Sequence, residues 1–304
     1  MEYIYNDLRM TYHMEGNRLC VHLDQPITLK ELFDRFSLSK KQRHLCRMEG
    51  TIQCNNRIVR NDDQLLEHEV IIVLPECQPD WIKGNRMAQI IHEDPFMIVV
   101  HKPHGCIIHG EEDDQDCLNA RVSATFDHAA IHALIRPIHR LDRDTSGLVL
   151  YCRHAFFQPW FDEQLANKNI YRHYLAICFD TGKVMDHFTC TKPIGKDRHI
   201  SNRYRISKDG KDACTHFDVI SRKNGYVLIG CRLETGRTHQ IRVHLSHYGL
   251  QIVNDPIYGR PSRDFSYMGL WADEMVAHDP ITHQPIHIKD QMEEDYLYFG
   301  KRRK

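Results

Sequence analysis

The sequence predicts an α+β fold in two units, because short strands and hairpins run in consecutive groups instead of alternating with helices. Two features carry this reading. Asn55-Asn56 and Asn224-Gly225, pairs that tolerate the left-handed backbone of a tight turn, each sit between two apolar runs. Two capping boxes, Thr28 with Glu31 and Ser39 with Gln42, stand close together before the first of those hairpins.

Taken in order, Tyr3–Tyr5 and Leu19–Leu23 read as short strands with polar residues between them. The first capping box opens a helix whose apolar face is Leu29, Leu32, Phe33 and Phe36. The second opens a helix expected to stop at Gly50. Thr51–Cys54 and Arg57–Val59 make the first hairpin, and Val70–Leu74 closes the unit as an apolar strand. Pro75–Met87, carrying Pro75, Pro79 and Gly84, reads as a linker, so boundaries fall at residues 1–82 and 86–304. Beyond it, Gln89–Ile91 and Met97–Val100 are strands about the turn Glu93-Asp94-Pro95, and the acidic run 111–116 is a loop. Leu148–Tyr151 is a buried strand, and Phe156–Lys168 a helix with Phe157, Trp160, Phe161 and Leu165 inward. Tyr171–Phe179 alternates as a strand, and residues 192–212 form a polar excursion. Thr215–Ile220 and Tyr226–Glu234 make the second hairpin, and Thr238–Tyr248 a helix stopped by Gly249.

Composition narrows the class. A chain of 304 residues with 41% hydrophobic and 27% charged residues is an ordinary globular protein without a membrane span. The N-terminus lacks the basic-then-apolar pattern of a secretion signal. Eleven scattered cysteines with no Cys-x-x-Cys pair fit reduced thiols in a cytoplasmic protein. Net charge is only −1, yet residues 37–60 carry Lys40, Lys41, Arg43, Arg47, Arg57 and Arg60 against Glu49 alone. Such segregation makes a basic face able to meet phosphates.

The densest chemistry is at His139–Gly147, His-Arg-Leu-Asp-Arg-Asp-Thr-Ser-Gly, a polar knot ahead of an apolar strand. The plain alternative is a surface turn in which Gly147 takes a positive φ and the arginines are solvated. Two further blocks accompany it: Thr235-Gly236-Arg237-Thr238-His239-Gln240-Ile241-Arg242-Val243-His244-Leu245 with Asp255-Pro256-Ile257-Tyr258-Gly259, and Arg172-His173-Tyr174-Leu175-Ala176. In this order the blocks resemble the RluA-like pseudouridine synthases over roughly residues 86–282. The N-terminal helices, hairpin and basic face resemble a ribosomal S-four-like RNA-binding module.

The resemblance implies a mixed, largely antiparallel sheet with a central cleft. It also implies isomerisation of uridine to pseudouridine in structured RNA, with ribosomal RNA ahead of transfer RNA. Asp142 matches the catalytic aspartate, acting as nucleophile at the anomeric carbon or as base toward the neighbouring ribose proton. Arg242 matches its ion-pair partner, and Tyr174 the aromatic that stacks on the extracted uracil. Arg140 matches the arginine that helps displace the target nucleotide, with His139 and Arg143 beside it as substrate contacts. Lys40, Lys41, Arg43 and Arg47 would meet RNA from the N-terminal module. Departures from the pattern fall at Cys152, Arg153, Arg172, Asn254 and Trp271, which are support positions.

Neither His128 with His132 nor His283 with His287 carries a metalloprotease pattern, and there is no phosphate loop, so neither a metal nor a cofactor is expected, nor is a protein partner inferred. Two rivals remain: a protein that binds RNA on a retained synthase fold, and a glycoside hydrolase using Asp142 with Asp144. For the second, carboxyls two residues apart on one turn cover only part of the roughly 5–9 Å such enzymes need.

Overall fold

The computed structural model describes residues 9–75, 77–111 and 114–293; the expected strand Tyr3–Tyr5 lies outside them, as do Glu112 and Asp113 of the acidic run. The first unit opens with a hairpin, β1 (Met10–Glu15) and β2 (Arg18–Leu23), turning at Gly16-Asn17. Then follow β3 (Ile27–Thr28), α1 (Leu29–Arg35), α2 (Lys40–Glu49), β4 (Ile52–Cys54), β5 (Arg57–Ile58), β6 (Leu65–Leu66) and β7 (Glu69–Val73). Both capping boxes form: the Thr28 and Ser39 hydroxyls accept from the Glu31 and Gln42 amides, and those side chains accept from the cap amides in return. α2 ends at Gly50 in the left-handed conformation. Five strands in the order β1-β2-β7-β4-β5 make an antiparallel sheet, on which the helices bury Leu29, Leu32, Phe33 and Phe36.

The second unit runs β8 (Gln89–Glu93), β9 (Met97–Lys102), α3 (Leu118–His128), β10 (Arg136–Pro137), β11 (Ser146–Cys152), α4 (Gln158–Ala166), β12 (Tyr171–Phe179) and β13 (His187–Cys190). It continues with β14 (Ile194–Lys196), β15 (Tyr204–Ile206), β16 (Thr215–Lys223), β17 (Tyr226–Leu233), α5 (Gln240–His247), β18 (Leu270–His278) and β19 (Pro285–Lys289). The long sheet has the order β13-β16-β17-β12-β18-β11-β9-β8, with β10 on β11 and β19 on β18. Its pairs are antiparallel except β11 with β18, which run parallel through Ser146↔Trp271 and Gly147↔Ala272. The fold is therefore the expected α+β, mixed and largely antiparallel.

Alternation along β9 and β11 divides the core. Met97, Val99, Leu148 and Leu150 face α4 and the N-terminal unit, whereas Ile98, Val100, Val149 and Tyr151 face α3 and α5. A strand covered on both faces reads as the unbroken apolar run seen at Leu148–Tyr151.

Several local expectations need correction: α4 spans Gln158–Ala166 instead of 156–168, and β14 and β15 pair within the polar excursion 192–212. α5 starts two residues later than expected, because Thr238 and His239 form a turn with His239 at φ +58°. The helix α3, where no element was expected, is buried on most of its faces and capped by the Cys117 thiol. It lacks both the amphipathic stripe and the usual cap residue that mark a helix in sequence.

The segment between the units has neither helix nor strand among its described residues, but it is docked. The Gly84 amide donates to Ala120 O at 2.9 Å, the Ile135 amide to Asp80 at 2.8 Å, and the Ser123 hydroxyl to Trp81 O at 2.8 Å. The hydrophobic interiors of the two units are also continuous. Phe36 meets Phe156 and Phe157 edge-on, Tyr12 meets Phe96 at 5.0 Å, and the Tyr12 hydroxyl donates to Asp279. Removal of the N-terminal unit would therefore bare an apolar face of the second unit.

Candidate active site

The loop 139–145 joins β10 to β11 and is fixed from three sides. Lys102, fully buried at the end of β9, donates to the carbonyls of Pro103, Cys106 and Arg143 at 2.7–3.1 Å. Burial holds its pKa down to about 8. His139 is buried, and its Nε2 accepts from the Leu150 amide at 3.3 Å, which ties the start of the loop to β11. At the other end Gly147 has φ +109°, and a Cβ there would stand 2.2 Å from the Ala272 carbonyl of β18, so only glycine fits.

Held this way, Asp142 meets Arg242 of α5. The Arg242 guanidinium, 3% exposed, donates Nη1 to Asp142 Oδ2 at 3.0 Å. Its Nε and Nη2 fork onto Asp255 at 2.7 and 2.9 Å, and Asp255 is 0% exposed at the side chain. Asp255 also accepts from the amides of Ile257 and Tyr258. Burial alone would raise the Asp255 pKa, but the Arg242 bonds and those amides outweigh it, and the carboxyl sits below its ordinary value. Burial likewise works against the charged form of Arg242, and the two carboxylates more than reverse it. One arginine thus neutralises a buried aspartate and aims at a second that is 24% exposed.

These groups open on a cleft of about 830 Å³. Tyr174 of β12 lines it, 5% exposed, with its hydroxyl pKa raised first by burial. Arg140 and Arg143 are exposed at the same cleft, and Arg172 forms part of its wall. Gly236 lets Arg172 pass, since a Cβ there would lie 2.9 Å from Arg172 Nη1. The geometry brings Asp142, Arg242, Tyr174, Arg140, Arg143 and His139 to this one cavity.

Lys40, Lys41, Arg43 and Arg47 lie on α2, away from the cleft lining. Arg43 and Arg47 are paired with Asp34 and Asp62 and lie over the Phe33 ring. Lys40 and Lys41 are exposed and, among the described residues, have no ion-pair partner.

The sequence pattern includes the block Asp255–Gly259 but gives Asp255 and Tyr258 no role, and it assigns none to Lys102 or His239. Nothing in either block marks Asp255 as a second partner of Arg242; that pairing becomes visible only when α5 is laid against the 255–258 turn.

The histidine pairs four apart do not share a helical face. His128 ends α3 with His132 beyond it, and His283 is in a turn before His287 on β19. Cys214, His216 and Glu234 do cluster. His216 Nε2 stands 2.6 Å from Glu234, closer than the ~3.3 Å that two ligands of a tetrahedral zinc keep. Glu234 also holds Lys168.

Burial pushes His139 to about 3, and His154 and His283 to about 4, from an ordinary 6.5. Their folded pKa values are depressed, so this contribution to stability is complete above pH 6.5 and is lost as pH falls below it. Each group titrating this way lowers stability by up to about 1.4 kcal/mol per pH unit. Urea unfolding should therefore give a lower midpoint at pH 5.5 than at pH 7, with a smaller difference in His139→Gln. Equal midpoints at the two pH values would show that these rings charge freely in the folded protein.

Residues 96–247 match the family model described as RNA pseudouridylate synthase. "Uncharacterized RNA pseudouridine synthase YlyB" of Bacillus subtilis is 33% identical over 81% of this chain and 84% of its own length. "Ribosomal large subunit pseudouridine synthase D" of Xanthomonas campestris is 31% identical over 88% of this chain and 85% of its own. Among solved structures, "Human RNA Pseudouridylate Synthase Domain Containing 1" aligns with a TM-score of 0.57 at 20% identity, over 67% of this chain and 83% of that one. That last likeness speaks to the fold alone.

Proposed function

The chain belongs to the RNA pseudouridylate synthase family, and from that premise we propose that it isomerises uridine in large-subunit ribosomal RNA with Asp142 as the reacting carboxylate. The observation that carries this reading is Asp142, partly exposed on a cleft and held through Arg242 by a second, fully buried carboxylate.

The reaction breaks the bond between ribose C1′ and uracil N1, turns the base, and joins C5 to C1′; the C5 proton leaves and N1, which had no hydrogen in uridine, gains a proton. Asp142 serves either by attacking C1′ or by taking the neighbouring ribose proton. Arg242 holds the Asp142 carboxylate in place through Nη1 and sets a positive charge beside it. Tyr174 offers a face on which the freed uracil can stack. Intact Asp142, Tyr174 and Arg242 on one cavity weigh against a protein that only binds RNA. The substrate assignment rests on relatives named for the large ribosomal subunit, and a cytoplasmic location follows from that substrate. Among the described residues no helix is long and apolar enough to cross a membrane. The test is tritium release from ribosomal RNA transcripts labelled at uridine C5, with transfer RNA as the comparison; no release from either would remove the activity.

Arg140 is exposed at the cleft, and in this reading it fills the stack that a flipped nucleotide leaves. Extrusion costs a few kcal/mol from a stacked helix and less from a free strand. Arg140→Ala should therefore slow modification of a paired uridine about tenfold or more, and that of an unpaired one much less. Equal slowing on both would reduce Arg140 to a phosphate contact.

The N-terminal unit, residues 1–82 in this reading, is an S-four-like module that adds RNA affinity to the catalytic unit 86–304. Arg43 and Arg47 are committed to Asp34 and Asp62, whereas Lys40 and Lys41 of α2, like Arg57 of β5, are exposed cations free to meet phosphates. Lys40→Ala/Lys41→Ala should flatten the slope of log affinity against log salt by about 0.7–0.9 for each phosphate no longer neutralised, leaving the single-turnover rate unchanged. An unaltered slope would mean that α2 does not touch RNA.

A further inference from the structure

His239 is the N-cap of α5, yet it makes no side-chain capping bond and holds a left-handed backbone at φ +58°. Residues other than glycine in that region are kept there by their surroundings, and such positions concentrate at functional sites. The conformation delivers the imidazole to the cleft. Nδ1 lies 2.9 Å from the Tyr258 hydroxyl, and Nε2 lies 3.9 Å from Asp142 Oδ2, the oxygen Arg242 already holds.

The tautomer follows from the donors present. The Tyr258 hydroxyl accepts the Tyr204 amide at 2.7 Å, and among the described residues His239 Nδ1 is the acceptor within reach of its own proton. Nδ1 is then the acceptor, and Nε2 carries the hydrogen of the neutral ring. The reverse tautomer would turn a nitrogen lone pair toward a carboxylate.

Building on the isomerase reading above, we propose that His239 is a positioning residue for Asp142: its Nε2–H, fixed by Tyr258, closes on Oδ2 when RNA fills the cleft and leaves Oδ1 to meet the ribose. A neutral N–H suits this task. It orients the carboxylate without a second full positive charge, which would oppose a nucleophile or base giving up its negative charge. Burial works against the charged ring, and the approach of Arg242 adds to that effect, while Asp142, Asp255 and Asp144 oppose it. The net direction favours the neutral form.

Two arms test this. Long-range proton–nitrogen correlation spectra of histidine-labelled protein, assigned by comparison with His239→Gln, should show the Nε2–H tautomer. In Tyr258→Phe the same ring should become a mixture. An Nδ1–H tautomer in the unaltered protein, or no change in Tyr258→Phe, would overturn the proposal. Kinetically, His239→Gln should lower the single-turnover rate about 10–100-fold, the scale of a misplaced reacting group, with RNA affinity within about twofold and the melting temperature preserved. Tyr258→Phe should cost less, and the double variant no more than His239→Gln alone. A rate in His239→Gln equal to the unaltered protein's, or losses that multiply in the double variant, would sink it. The spectra need no RNA, so absent uridine isomerisation would overturn the parent reading by itself, while a wrong tautomer would overturn only this one.

Discussion

Asp142→Asn should fold, bind RNA, and release tritium from C5-labelled uridine at least about 10³-fold more slowly than the unaltered protein, as expected for loss of a reacting carboxylate. The asparagine oxygen can still accept from Arg242 Nη1, so the loop keeps its shape. Arg242 also keeps its counter-charge, because Asp255 holds it through two further bonds. What disappears is the negative charge and the nucleophilic or basic oxygen. Single-turnover tritium release beside a melting curve separates these effects. A well-folded variant retaining a tenth of the rate would exclude Asp142 as the reacting group.

Arg242→Ala should be the most destabilising substitution at the site. It strands Asp255, whose side chain has no exposure, and breaking one side of such a pair costs about 3–5 kcal/mol. The rescue should come from Asp255→Asn, which removes the stranded charge; Asp142→Asn, acting on a partly exposed group, should rescue less. The pH dependence supplies a second signature. In the unaltered protein Asp255 has a lowered pKa, so its contribution is present above the unfolded value of 3.8 and is lost as pH falls through the folded value. Without Arg242 the buried carboxyl binds its proton more tightly folded than unfolded, and this part of the stability should rise as pH falls. Urea titrations of both proteins from pH 7 to 5 provide the check, with Asp255→Asn/Arg242→Ala as reference. Additive losses in that double variant would mean that the bidentate pair does not hold the fold. Arg242→Lys should restore little, because a single ammonium cannot span both carboxylates as the fork does.

How far the sequence could be read depended on whether the signal was local. Thr28, Ser39, Gly50, Asn55-Asn56 and Asn224-Gly225 announce caps and turns through chemistry within four residues, and each element they mark is where expected. β1 was missed although Gly16-Asn17, a hairpin turn signal, follows it; Met10, Tyr12 and Met14 are too sparse an apolar set to stand out. α3 gave no amphipathic signal because most of its faces are covered. At the site, Asp142, Arg242, Tyr174 and Arg140 were recognisable from their motifs. Asp255, His239 and Tyr258 stand in the same blocks without a role, and Lys102 has none either, since each meets its partner on another element. The docking of the N-terminal unit was hidden for the same reason: Phe36 reads as part of its own helix's face and gives no hint of Phe157.

The parallel pairing of β11 with β18 has a consequence for how the protein is made. Ser146 and Gly147 leave the ribosome about 125 residues before their partners Trp271 and Ala272. At about 5–20 residues per second, that interval is roughly 6–25 s. During it, β9 and β10 can pair with β11, but the end of β11 that β18 will cover, Ser146 and Gly147, is an unpaired edge, an invitation to wrong partners. The nascent chain therefore passes through a window in which the 139–145 loop exists but β18 does not yet seal its end. A chaperone that shelters that edge, or slow codons placed after β18, would act on yield without touching the finished enzyme.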